Sequence, residues 1–128
     1  MTNQVHLFDK ISNQTLYKGA ASIDFCANDG LLVSFNNETS QFEWKIWKNG
    51  LIIRSESEIT VNLTLRLNSR TKGHIETEFG EIELDCHTSH YDVNENCVEV
   101  KYSLIQGNEE QKFHFALYIN KEETYAVN

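Results

Sequence analysis

Apolar residues recur at every second position along nearly the whole chain, and this period constrains the fold more than any other feature of the sequence. Successive side chains of a β-strand point to opposite faces, so apolar residues alternating with polar ones mark a strand with one buried and one wet face. The pattern is cleanest at Val61, Leu63, Leu65 and Leu67, which alternate with Asn62, Thr64, Arg66 and Asn68. It recurs at Tyr17-Gly19-Ala21-Ile23-Phe25, Leu31-Val33-Phe35, Phe42-Trp44-Ile46, Ile82-Leu84-Cys86, Val98-Val100-Tyr102-Leu104 and Phe113-Phe115-Leu117-Ile119. With weaker segments near Val5 and Ile52, about eight to ten strands are predicted, and no useful window carries helical spacing.

Turn chemistry says how these strands connect. Asn28-Asp29-Gly30 and Asn49-Gly50 are hairpin signals, because Asn, Asp and Gly tolerate the positive φ of tight reversals. Weaker punctuation falls at Lys72-Gly73, Asp92 to Asn96 and Gln106-Gly107-Asn108. The chain has no proline to blunt exposed sheet edges, so closure into a barrel is the expected remedy. A chain of 128 residues suits one domain, here 1–128, able to bury roughly two thirds of its unfolded surface. The predicted architecture is all-β: a single antiparallel up-and-down barrel. Apolar parity flips at Gly80, from Ile75 and Phe79 to Ile82, Leu84 and Cys86. A bulge in one long strand is preferred there to a hairpin, which would bring Glu76 and Glu78 close to Glu81 and Glu83. The small residues Gly19-Ala20-Ala21-Ser22 mark a second bend, and Lys121 to Asn128 is expected to fray.

The segment Ile75-Glu76-Thr77-Glu78-Phe79-Gly80-Glu81-Ile82-Glu83-Leu84 resembles the central Thr-x-aromatic-Gly stretch of the YwiB-like family, a bacterial domain of unknown function. The downstream strands around Val98 to Tyr102 and Phe113 to Ile119 fit the same pattern. The resemblance implies a calycin-like (lipocalin-like) barrel and a structural role for Thr77, Phe79 and Gly80, and it supplies no catalytic residue. The start of this chain looks shorter than the family's N-terminal strand pair. Closure is therefore expected to depend on the segment before Gly19.

Charge narrows the partners. The net charge is −8, and the excess lies entirely in the second half, where residues 55 to 128 carry six basic and fourteen acidic side chains. With no basic stripe to offset it, nucleic acid and membrane surfaces are not expected partners. The three cysteines and a start without a basic head or apolar run suggest a reducing, cytoplasmic setting.

Chemistry is harder to find. Asp85-Cys86-His87-Thr88-Ser89-His90, with Cys97 beyond, offers zinc-type donors. However, Cys86 falls on the apolar face while His87 points away, so the cluster is read as a strand end entering a polar loop, and no metal is assigned. Glu76, Glu78, Glu81, Glu83 and Asp85 alternate with apolar residues and form a solvated stripe. No G-x-S-x-G elbow or Gly-rich phosphate loop is present, His6, His74 and His114 are isolated, and no catalytic residue or cofactor follows. The inward aromatics Phe42, Trp44, Tyr102, Phe113 and Phe115 are the candidate ligand-lining residues, since a barrel of this size can enclose one small molecule. The expected function is non-enzymatic binding of a small apolar molecule by a monomer or homodimer. The alternative is a protein-interaction or self-associating module presenting Trp47 and Tyr118, and an enzyme using the carboxylates or the Cys/His cluster comes third.

Overall fold

In the computed structural model, which describes residues 3–120, every regular element is a strand. The strands are β1 (Asn3–Asp9), β2 (Gln14–Cys26), β3 (Gly30–Asn36), β4 (Gln41–Ile46), β5 (Gly50–Glu56), β6 (Thr60–Arg66), β7 (Arg70–Thr77), β8 (Gly80–Val93), β9 (Cys97–Gln106) and β10 (Glu109–Asn120). Each pairs antiparallel with its neighbours in sequence, and β1 pairs with β10 to close the barrel. The N-terminal segment holds on both sides: Gln4 to Asp9 register against Asn120 to Phe115, and Asn3 to Asp9 against Ala21 to Gln14. The expected fraying of Lys121 to Asn128 lies outside the described residues. Among the described residues no helix is long and apolar enough to cross a membrane.

Most of the alternating residues become the interior, although Phe25, Leu67 and Ile82 at strand ends are exposed at 90%, 40% and 38%. Val5, Leu7, Val33, Trp44, Ile46, Leu51, Ile53, Leu63, Leu65, Leu84, Cys86, Val98, Val100, Tyr102, Leu117 and Ile119 share one buried cluster. The ladders set them side by side, with Trp44 between Val33 and Ile53 and Leu117 between Leu7 and Val98. Asn28 and Asp29 take φ of 61° and 62°, the left-handed geometry of a tight reversal, in the three-residue turn between Cys26 and Gly30.

Three expectations are corrected. Gly80 is no bulge: it begins β8 after a tight β7–β8 hairpin in which Thr77 pairs with Gly80 and Glu76 with Glu81. The outer face of β7 also carries cations, which pair with acids farther along β8. Lys72 Nζ lies 2.8 Å from Asp85, Arg70 lies 3.6 Å from Asp85, and the His74 ring lies 3.9 Å from both Glu81 and Glu83. Nor do Lys72-Gly73 punctuate anything. Gly73 sits within β7, and the reversal before it uses Asn68 at φ 58°. The polar loop expected from Asp85 to His90 is strand, since β8 runs on to Val93. The register shift lies there instead, between Thr88 and His90, so the inward set passes from Cys86 and Thr88 to Tyr91 and Val93.

Candidate functional site

The ten strands have nine connections, five at one end of the barrel and four at the other, and the two ends are built differently. At the four-turn end, side chains cross between strands. The Trp47 indole N–H donates to Ala27 O at 2.8 Å. The Tyr91 hydroxyl, on β8, lies 2.6 Å from Trp47 O and 2.9 Å from Gly50 O, so its single proton is shared between two carbonyls. Burial pushes the Tyr91 phenol well above its ordinary range, which keeps it a donor at all ordinary pH. Gly30 makes room for the plug, because a Cβ there would stand 2.8 Å from Trp47 Cε2. Asn68 N adds a bond to Thr88 O at 2.9 Å. Trp47, which the alternation could not place, is a structural stopper.

At the five-turn end the turns are held locally. Asp9 Oδ1 accepts from Ile11 N and Ser12 N, and Asn37 Oδ1 accepts from Thr39 N and Ser40 N. Inside this rim stands an aromatic arc. The Tyr17 ring lies 4.7 Å from Phe35, which stacks on Phe42 at 5.1 Å. Beyond β1, Tyr102 stacks on Phe113 at 5.2 Å and Phe113 on Phe115 at 5.9 Å. Tyr17, Phe42, Phe113 and Phe115 are only partly buried, as are Val61, Ile75 and Leu104 on the inner wall. Pairs at these spacings are stabilising beyond the area they bury, so the arc can keep its shape without a ligand.

The five aromatics expected to line a ligand therefore divide. Phe42, Phe113 and Phe115 reach the five-turn end, whereas Trp44 and Tyr102 are buried at 2% and 5% exposure. Phe35 and Tyr17 belong with the arc and were legible from the same parity. One polar atom faces inward behind it. Thr88 has no exposed surface, stands opposite Tyr102, and its Oγ1 has no hydrogen-bond partner among the described residues. Burial raises the Tyr102 phenol well above its ordinary range.

In the motif segment, Thr77 Oγ1 accepts from Phe79 N and donates to Gly80 O, and Gly80 has φ 127°, a region that favours glycine. Phe79 projects from the turn at 91% exposure. The Cys/His donors do not converge: Cys86 is buried and its thiol is pushed up to about 11 by desolvation, while His87 and His90 are exposed. Among the described residues no three His, Cys, Asp or Glu side chains are grouped to hold a metal ion. On the outer wall, His114 Nε2 donates to Glu99 Oε2 at 2.6 Å, and Lys10 Nζ lies 3.3 Å from the same oxygen.

Comparison with known proteins adds the lineage. The ywiB protein from Bacillus subtilis, known from a crystal structure, superposes with a TM-score of 0.62 at 11% sequence identity, covering 95% of this chain and 91% of that one. At that identity the likeness establishes the fold, a calycin-like closed barrel. No curated protein matches the chain. Residues 24–124 match the family described as a domain of unknown function, DUF1934, which spans the hairpin carrying Thr77, Phe79 and Gly80. With most of its length matched by the family model and its fold shared with the ywiB protein, this chain belongs to the DUF1934 family, the YwiB-like domain its central hairpin resembles.

Proposed function

We propose that this protein binds a small, largely apolar molecule at the five-turn end of its barrel and carries out no chemistry on it. The aromatic arc carries the reading: Phe42, Phe113 and Phe115 stand partly exposed at the end whose turns are held locally, while Tyr91 and Trp47 stop the other. Apolar walls at a barrel mouth are the usual setting for such ligands. The unpartnered Thr88 hydroxyl behind Tyr102 offers one polar anchor to a molecule that enters deeply.

A neutral fluorescent probe, N-phenyl-1-naphthylamine, is expected to bind saturably at one site. Phe42→Ala and Phe113→Ala should each weaken it about tenfold, the loss of roughly 1.4 kcal/mol of contact. Tyr118→Ser, on the outer wall, should leave it unchanged. Absence of saturable binding, together with no apolar molecule co-purifying by mass spectrometry, overturns the reading.

A second reading, a protein-interaction or self-associating module, is favoured by Phe25 and Phe79, whose rings are 90% and 91% exposed and contribute little to the core. Light scattering at rising concentration is then expected to report association that Phe25→Ser or Phe79→Ser abolishes. A wild-type monomer at every concentration rejects self-association.

A further inference from the structure

A concavity of about 430 Å³ lies at the four-turn end, between the β4–β5 turn and the end of β6. Its walls include Trp47, Ile52 and Thr64, its polar rim includes Asn28 and Asn49, and its cations are Lys48 and Arg66. No carboxylate lines it. In a chain of net charge −8, two cations share this hollow, and neither makes an ion pair with a described carboxylate. Lys72, unlike these two, is held by Asp85 at 2.8 Å, and Lys10 by Glu99 at 3.3 Å. The concavity around the β3–β4 turn, by contrast, is lined by Glu38, Glu56 and Glu58 and by no cation.

We propose that this hollow is a binding site for a small organic anion, one phosphate or carboxylate head with a short apolar body. Two like charges held at one concavity repel each other, and an anion between them converts that repulsion into two charge-assisted contacts. The Arg66 guanidinium offers a planar fork suited to either head, and the Lys48 ammonium acts as a mobile point charge. Asn28, Asn49 and Thr64 add neutral polar groups at the rim, while Trp47 and Ile52 supply the wall for the body. The volume is within the range of small-molecule sites, roughly 300–1,000 Å³. The site is separate from the aromatic arc and stands whether or not the arc binds a ligand.

The test follows amide and indole resonances of the full chain by NMR during titration with inorganic phosphate, phenyl phosphate and benzoate at constant ionic strength set with chloride. Saturable shifts are expected at the Trp47 indole N–H, Gly50 and Arg66, with phenyl phosphate binding more tightly than inorganic phosphate. If benzoate rather than phenyl phosphate binds more tightly, the head is a carboxylate. Lys48→Gln and Arg66→Gln each alter an exposed side chain, and either should weaken binding about tenfold, the scale of one lost charge-assisted contact. Shifts that never saturate with any of the three anions, or that persist unchanged in the double variant, overturn the proposal.

Discussion

Gly73 lies inside β7, and a side chain there would have no room. An added Cβ would stand 2.7 Å from Leu63 Cδ2 and 3.0 Å from both Cys86 Sγ and Leu84 Cδ1. Gly73→Ala is expected to cost about 1–3 kcal/mol, the range of overpacked cores, read from urea denaturation midpoints. Thr88 presents the reverse case. Its hydroxyl is buried without a described partner, so Thr88→Val keeps the shape and removes a desolvated polar atom. That variant is expected to be as stable as the wild type or about 1 kcal/mol more stable. A clear loss in thermal denaturation would mean that the hydroxyl has a partner worth keeping.

Among the elements, β9 and β10 are locked on their outer face by Glu99, which accepts from His114 at 2.6 Å with Lys10 beside it. The His114 hydrogen bond, then Lys10, holds the Glu99 carboxyl below its ordinary 4.5 against the opposing effect of burial. The folded state thus gives up this proton more readily than the unfolded chain does. The lock is therefore fully present above about pH 4.5 and is lost as pH falls through the lowered folded value. Glu99→Gln should lower stability at neutral pH and flatten the acid limb of the stability curve below that point, as read from unfolding midpoints across the acid range. An acid limb identical to that of the wild type would refute the assignment. The β7–β8 hairpin makes the complementary point about elements. Its charges looked prohibitive when only carboxylates were counted, and Lys72 and Arg70 on β7 offset Glu83 and Asp85 on β8.

For the whole molecule, the seam between β1 and β10 turns a curved sheet into a barrel. Removing residues 3–9 should bare the facing edges of β2 and β10 and leave Val5 and Leu7 out of the core, giving oligomers or aggregates by light scattering. A monomeric, cooperatively folding product would show that closure is dispensable. Much of this architecture was legible beforehand. Period-two alternation names most interior residues, because a strand's side chains alternate whatever its partners are, though Phe25, Leu67 and Ile82 are exposed on that parity, and Asn28-Asp29 announces its turn through backbone sterics alone. The Thr-x-aromatic-Gly hairpin carried the family. What stayed hidden depends on groups far apart in the chain. The pairing of β1 with β10, the inward turn of Thr88 and Tyr91 around the Ser89 bulge, and the offset of acids on β8 by cations on β7 are set by register between strands, which no single strand encodes. So it is with the two ends. The sequence determined the parity that turns these aromatics inward, but only the closed barrel decided that Trp44 and Tyr102 are sealed in the core while Phe42, Phe113 and Phe115 lie partly exposed toward the five-turn end, because depth along a barrel follows from the stagger of its strands.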